Sequence, residues 1–474
     1  MKVFGWRWLV TSSLIVGLAI VGSLAASAET RPQYGGTLRV AMRAAPASLN
    51  PADCAQPTSF SQRNLALLIF ETLVTTDSSG RVRPALATSW QESSGSRRWE
   101  FRLRRGVKFH DGAAFTPEIA ASALRSAHPS WNVIADADSV LIESDAPDPE
   151  LPLRLALPCN AIARKTADGK PSGTGPFHIA DWQPGKKLSL AAEENYWGGR
   201  PFLNAIEIEL GKNYRDQLVA FELGKAELVE VAPEQSRRVS MEGRRVISSA
   251  PMELVALLFS HDHSHDDSHD DSRDARSSDD KLLREALALS VDRASMRSVL
   301  LQGAGQTAGS ILPNWMSGYG FVFPAEADIP RARHQREQVR NTPEWTLGYD
   351  AGDSLAHSLV ERIVLNARDA GLTLRSTTAT AADLRLVRIP LDSADPRIAL
   401  DSIAAAVGLP KPTVNAGSTE DLYSAEQSAL ATQRLIPLFH LPATYAASPI
   451  LKNLAIRSDG SWSLADAWLE TAKP

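Results

Sequence analysis

At 474 residues the chain is too long for one ordinary hydrophobic core and calls for two or more lobes, while 43 % hydrophobic and 22 % charged residues are ordinary for a soluble globular protein. A formal net charge of −5 and the lack of any basic stripe exclude a nucleic-acid role, because nothing stands ready to neutralise phosphates. The sequence contains no nucleophile elbow, zinc-hydrolase helix motif, phosphate loop or paired-cysteine motif, so no enzyme chemistry is expected of it.

Lys2 and Arg7 precede an apolar run from Leu14 to Leu24 and the small-residue pattern Ala26-Ser27-Ala28, the layout of a secretory signal peptide over residues 1–28. Thr11, Ser12 and Ser13 leave the run short of the roughly 20 residues that a membrane span needs, an uncleaved anchor being the alternative. Cleavage leaves 474 − 28 = 446 residues with a periplasmic address and a net charge of −7, since Lys2 and Arg7 are lost. Residues 261–280 carry −6 of it, eight Asp against Arg273 and Arg276. Cys54 and Cys159 form a disulfide candidate in an oxidising compartment, with two buried thiols as the alternative.

Thr37 to Arg43 alternates as a strand, and Pro46 to Pro51 is a turn-rich loop. Residues 59–73 set Phe60, Leu65, Leu68, Ile69 and Leu73 near one helical face. Trp99 to Leu103 is a strand that turns at Arg105-Gly106. Thr116, Pro117 and Glu118 then give three agreeing helix-start signals. His110 and Asp111, between the two, read as turn residues rather than a catalytic pair. Pro147, Pro149, Pro152 and Pro158 mark residues 126–165 as loop-rich.

From Gly173 to Pro201 two glycines and a proline make a tight entry turn. Phe177, Ile179, Leu188 and Leu190 then alternate with polar residues around Gln183-Pro184-Gly185-Lys186, which predicts a hairpin closed by Tyr196-Trp197-Gly198-Gly199-Arg200-Pro201. Leu203 to Leu210 alternates as a strand, and Gln217 to Glu230 reads as a short helix stopped by Gly224 and followed by a strand. Met252 to Phe259 is a continuous apolar run, as in a buried strand. Helices are expected over 282–293 and 354–370, and strands over 372–375 and 384–389. The spaced glycines at 303–309 follow a helix, which argues against a dinucleotide loop.

The Gly173–Pro201 stretch closely resembles the extracytoplasmic solute-binding proteins of family 5, the dipeptide, oligopeptide and nickel receptors of ABC importers, with their GTGPF, Trp, Pro-Gly turn and YWGGRP-like close. Leu49-Asn50-Pro51, Phe70-Glu71-Thr72-Leu73, the Trp99–Gly112 segment, Leu282 to Arg293 and Leu435 to His440 resemble the family as well. The resemblance is strongest over 34–313 and 435–470 and weakest over 314–434. It implies an α/β two-lobed periplasmic-binding-protein clamshell of type II with an extended first lobe: lobe I over 34–252 plus 436–474, lobe II over 253–435. Such a protein is a monomeric, non-catalytic component of an ABC importer, without a cofactor. It captures a small peptide or peptide-like solute between its lobes and delivers it to an inner-membrane permease.

Asp392-Ser393-Ala394-Asp395-Pro396 has the D-x-x-D-P spacing of peptide-binding members, whose first Asp anchors the peptide ammonium, although the Trp expected three residues earlier is Ile389. Asp392 and Asp395 either serve that role or cap the helix that Pro396 begins. Trp315, Tyr319 and Asn50 complete the ligand candidates. His261, His263, His265 and His269, interleaved with Asp, suit Ni²⁺, Zn²⁺ or Cu²⁺. The plainer reading of 261–280 is a disordered insertion, and the alternative function is metal binding or solute sensing on the same fold.

Overall fold

The structure is a computed structural model that describes residues 31–53, 59–77, 80–167, 169–260, 272–414 and 418–470. An 11-stranded mixed sheet runs through the molecule. In chain order its strands are β1 (Thr37–Ala41), β2 (Phe177–Gln183), β3 (Lys187–Ala192), β4 (Ala205–Glu209), β5 (Leu228–Glu230), β6 (Arg245–Phe259), β7 (Gln306–Thr307), β8 (Glu344–Gly348), β9 (Thr373–Thr377), β10 (Leu384–Pro390) and β11 (Leu435–Ala447). The lateral order is β2-β3-β4-β1-β5-β11-β6-β10-β8-β9, with β7 on β11. The helices used below are α1 (Phe60–Ile69), α2 (Pro117–Ala127), α3 (Leu151–Leu155), α4 (Tyr214–Glu222), α5 (Ser272–Ser290), α6 (Ser354–Asp369), α7 (Pro396–Val407) and α8 (Thr419–Leu430). Among the described residues no helix is long and apolar enough to cross a membrane.

The sheet serves two separate cores. In the first lobe Leu38 and Val40 of β1 and Met42 just after it pack with Phe177, Leu188, Leu190 and Ile206 beneath Leu65 and Leu68 of α1. In the second, the end of β6 is covered on both faces, which explains its apolar run from Leu254 to Phe259. Val255, Leu257 and Phe259 face Leu283, Leu287 and Leu359, while Met252, Leu254 and Ala256 face Ile403 and Ala404. Each such buried Val, Leu, Ile, Phe or Met side chain is worth about 1.5–3 kcal/mol.

β6 and β11 carry the chain between lobes as one long antiparallel pair, irregular between Ser248 and Glu253 and again between Val255 and Ala256. The return crossing comes later than the Ile436 that the sequence suggests. Leu438, Phe439 and Leu441 belong to the second core, whereas Ala443 and Tyr445 belong to the first, so the strand changes lobes at Pro442.

A second sheet, Ala87–Ser93, Arg98–Leu103, Ser139–Glu143 and Asn132–Asp136 in lateral order, packs with α2 and extends the first lobe. It corrects the loop-rich reading of 126–165. Alternating Val133, Val140 and Ile142 bury one face, and the prolines sit in and around α3 beyond the hairpin.

The entry turn before β2 explains its glycines. A Cβ at Gly173 would lie 2.0 Å from the Ile69 carbonyl oxygen and one at Gly175 2.7 Å from it, so only a bare backbone fits against the end of α1. The N–H of His110 donates to the Gly173 carbonyl (2.9 Å), and its Nε2 donates to that of Gly175 (2.9 Å), while Asp111 pairs with Arg164 (2.8 Å). His110 and Asp111 are thus turn residues that brace this junction.

Candidate functional site

The C-terminal ends of β1 and β5 from the first lobe and of β8 and β10 from the second all point at the β6/β11 crossing. In open α/β sheets this is where ligands collect, because the loops and helix starts that follow strands present their polar groups there. The convergence encloses a cavity of about 450 Å³ with walls from both lobes. Arg43, Ser59, Phe60, Tyr214 and Glu230 line the first-lobe side, and Asp350, Asp353 and Arg388 the second, with Glu253 of β6 between them.

The wall is densely charged, and most of its charges are already committed. Arg388 clasps Glu253 through Nη2 (2.6 Å) and Nε (3.2 Å) and donates from Nη1 to Asp353 (2.8 Å). Burial works against the guanidinium charge, but Glu253, Tyr214 and Asp353 outweigh it and hold its pKa well above the ordinary value. Burial likewise pushes Asp353 up, and Arg388 reverses that and holds the carboxyl below its usual range. Asp353 also caps α6, accepting from the N–H groups of Leu355 (3.0 Å) and Ala356 (3.1 Å).

On the opposite wall, Glu230 accepts from the main-chain N–H of Arg43 (2.7 Å), from Gln217 Nε2 (3.2 Å) and from the Ser61 hydroxyl. The Arg43 guanidinium lies over the Tyr214 ring at 4.6 Å and donates to its hydroxyl (3.1 Å).

A smaller seam cavity of about 20 Å³, room for one water, lies between the Asp392–Asp395 turn and first-lobe residues Gly80, Leu157, Pro158 and Asp459. Asp392 is buried there at 3 % exposure and accepts from Ser402 (2.8 Å). Asp395 is the N-cap of α7, accepting from Arg397 (3.0 Å) and Ile398 (3.2 Å). Ion pairs cross the seam in both directions. Arg154 of α3 reaches Asp401 of α7 at 3.3 Å, and Arg397 of α7 reaches Glu150.

The remaining candidates are scattered. Trp315 is exposed and donates its Nε1 to the Pro251 carbonyl (3.0 Å), beside the crossing. The Tyr319 hydroxyl is committed to buried Glu426 inside the second lobe. Asn50 bonds Asp53 (3.1 Å) on a larger groove of about 870 Å³ that lies wholly within the first lobe, between its loop and α2. Cys159 is half-buried in the turn after α3, but Cys54 lies outside the described residues, as do His261, His263, His265 and His269 and the signal segment. Among the described residues no group of three or more His, Cys, Asp or Glu is placed to hold a metal ion.

The sequence reading missed Arg43, Glu253, Asp353 and Arg388. Arg388 and Glu253 left a signal, each a charge inside a mostly apolar strand.

The profile of the bacterial extracellular solute-binding proteins, family 5 (middle region), matches residues 81–407. The chain belongs to this family. The oligopeptide-binding protein AppA of Bacillus subtilis (strain 168) is 22 % identical over 348 residues, 67 % of this chain and 60 % of that protein. The nickel-binding protein NikA of Staphylococcus aureus is 24 % identical over 256 residues, 51 % of this chain and 49 % of that one. The chain thus spans about half to three fifths of the length of these curated relatives.

Among solved structures, B. subtilis AppA in complex with a nonapeptide superposes with a TM-score of 0.77 at 17 % identity, over 93 % of this chain and 100 % of that one. S. aureus NikA in complex with Ni(L-His)₂ gives 0.76 at 17 % identity, over 92 % and 100 %. The fold is therefore the two-lobed clamshell of the family 5 binding proteins.

Proposed function

We propose that the protein is the periplasmic substrate-binding component of an ABC importer, capturing a peptide or peptide-like solute between its lobes and handing it to an inner-membrane permease. The observation that carries this reading is the 450 Å³ cavity whose walls come from both lobes beside the two connecting strands. An occupant touches both lobes at once and so favours the form in which they meet, the differential interaction that solute-driven closure requires. The volume falls within the roughly 300–1,000 Å³ of small-molecule sites. The names of AppA and of the dipeptide-binding protein of Escherichia coli support the peptide class. Capture and release need no covalent step.

Asp392 keeps a place in this proposal as a seam carboxylate that takes up the solute's ammonium as the lobes move. Asp392→Asn keeps the shape and removes the charge, and peptide affinity is expected to fall by about 2–5 kcal/mol. Unchanged affinity leaves Asp392 a structural role beside Ser402 and none in solute binding.

The alternative, metal binding through His261–His269, draws on that tract and on the likeness to nickel-binding relatives. Equilibrium dialysis with dipeptides and tripeptides, and separately with Ni²⁺ and Zn²⁺, on protein with and without residues 261–280 distinguishes the two. The proposal expects both proteins to retain peptide and only the full chain to retain metal. Metal retention without any peptide retention overturns it in favour of the alternative.

A further inference from the structure

Two arginines are buried in the cores, and they are treated differently. Arg293 of the second lobe donates to the carbonyls of Pro437 (3.0 Å) and Ala288 (3.0 Å). Arg63 of α1 is fully buried, yet among the described residues its Nε, Nη1 and Nη2 have no hydrogen-bond partner. What it does have is the Phe60 ring, whose centre lies 4.7 Å from the guanidinium. A cation over an aromatic face recovers only part of what stripping an ion of water costs.

The cover over this charge is shared between the lobes. Phe60 packs against both cores, the first-lobe cluster that holds Leu65 and Tyr445 and the second-lobe cluster that holds Met252, Leu254 and Ile389, and it also lines the interlobe cavity. On the first-lobe side a Cβ at Gly460 would lie 2.8 Å from the ring, so bare backbone sits against it there. The helix is bolted to the same lobe through the residue beside Arg63: Asn64 donates to the Tyr445 hydroxyl (3.2 Å) and accepts from the Trp462 N–H (2.8 Å). Arg63 therefore travels with the first lobe, and the removable part of its cover is the second lobe over Phe60. As the lobes part, Phe60 loses that cover and water gains access to the guanidinium. As they meet, the charge is dehydrated and receives no acceptor in exchange.

We propose that Arg63 beneath Phe60 is a built-in bias toward the open form: its dehydration opposes closure of the empty protein, so that the lobes stay together only when an occupant adds contacts to both. This rests on the reading of solute-driven closure given above, and it is independent of which solute is bound.

The test compares the unaltered mature protein with Arg63→Met, which keeps a long unbranched side chain and removes the charge. Small-angle scattering of the solute-free proteins is expected to give the smaller radius of gyration for Arg63→Met. A dipeptide that binds the unaltered protein is expected to bind the variant on the order of fivefold or more tightly, because apparent affinity rises with the population of the closed form. Arg63→Lys keeps a cation in place and is expected to scatter like the unaltered protein. A higher melting temperature for Arg63→Met with the same radius and the same affinity overturns the proposal, since the charge is then dehydrated by folding of the first lobe and not by closure. An Arg63→Lys protein as compact as Arg63→Met also overturns it, by showing that side-chain shape and not charge sets the bias. If no dipeptide binds, the peptide reading fails separately, and the scattering comparison still decides the role of Arg63. Should Arg63→Met not fold, Arg63→Gln supplies the uncharged arm of the same comparison.

Discussion

Each lobe has a carboxylate hub, half-buried Glu71 in the first and fully buried Glu426 in the second, and the two are held differently. In the first lobe Glu71 accepts from Thr174 Oγ1 (2.9 Å), Tyr196 Oη (2.7 Å) and Trp197 Nε1 (2.8 Å), three side chains from the single stretch Gly173–Pro201. In the second lobe Glu426 of α8 accepts from the main-chain N–H groups of Ile311 and Leu312 and from the Tyr319 hydroxyl. The Ile311 carbonyl in turn accepts from buried His440 of β11 (2.8 Å). Side-chain donors in a compact motif leave a trace in the sequence. Main-chain donors leave none, which is why the first carboxylate sits amid a recognisable pattern and the second does not.

The largest effect is expected from breaking the first of these hubs. Glu71→Ala orphans the buried Thr174 hydroxyl and the half-buried Tyr196 and Trp197 donors, the buried one worth about 1–3 kcal/mol when left unmade and the others less, so a loss of about 3 kcal/mol is expected in chemical denaturation. A loss below about 1 kcal/mol would show that the motif is held by packing alone.

The second hub shows itself through pH. Burial pushes Glu426 from its ordinary 4.5 up to about 7, so between those values the folded protein keeps a proton that the unfolded chain has lost. Its contribution therefore falls as pH rises through that window, by something on the order of 2 kcal/mol. His440 runs the other way. Burial lowers it from 6.5 to about 4, so its contribution is lost as pH falls from 6.5 towards 4. Glu426→Gln should abolish the first trend and leave the second, as read from melting temperatures at pH 4.5, 5.5 and 7. An unchanged pH profile in the variant would remove Glu426 from the account.

The smallest effect lies between the lobes. The pairs Arg154–Asp401 and Arg397–Glu150 are partly solvated, and losing each should cost only about 0.5–1 kcal/mol. Because both cross the seam, the double variant Glu150→Gln with Asp401→Asn should nevertheless shift solute-free protein toward a more open form. Small-angle scattering would register this as a larger radius of gyration. An identical scattering curve would mean that the pairs do not bias closure.

Local chemistry accounts for what was legible beforehand. The predicted hairpin is β2 and β3 with its Gln183–Lys186 turn, Thr116 does cap α2, and the apolar run at 252–259 is the doubly covered end of β6. The expected 354–370 helix is α6, and Asp395 caps α7. The candidate site was far less legible. Arg43 and Arg388 are 345 positions apart and meet only because the strands of both lobes end at the same crossing. Arg43 occupies an ordinary strand exit, and Asp353 looks like any helix cap until Arg388 is seen against it. The register of β6 on β10, which sets Arg388 close to Glu253, is a long-range fact that no window of sequence contains.

The central claim, that the solute is held by both lobes at once, is tested most directly by a crystal structure of the mature protein grown with a dipeptide that binds it in solution. The account places the dipeptide in the cavity between Arg43 and Arg388, touching residues of both lobes. A dipeptide found instead in the 870 Å³ groove of the first lobe, beside Asn50 and α2, would contradict it, because an occupant there touches one lobe only.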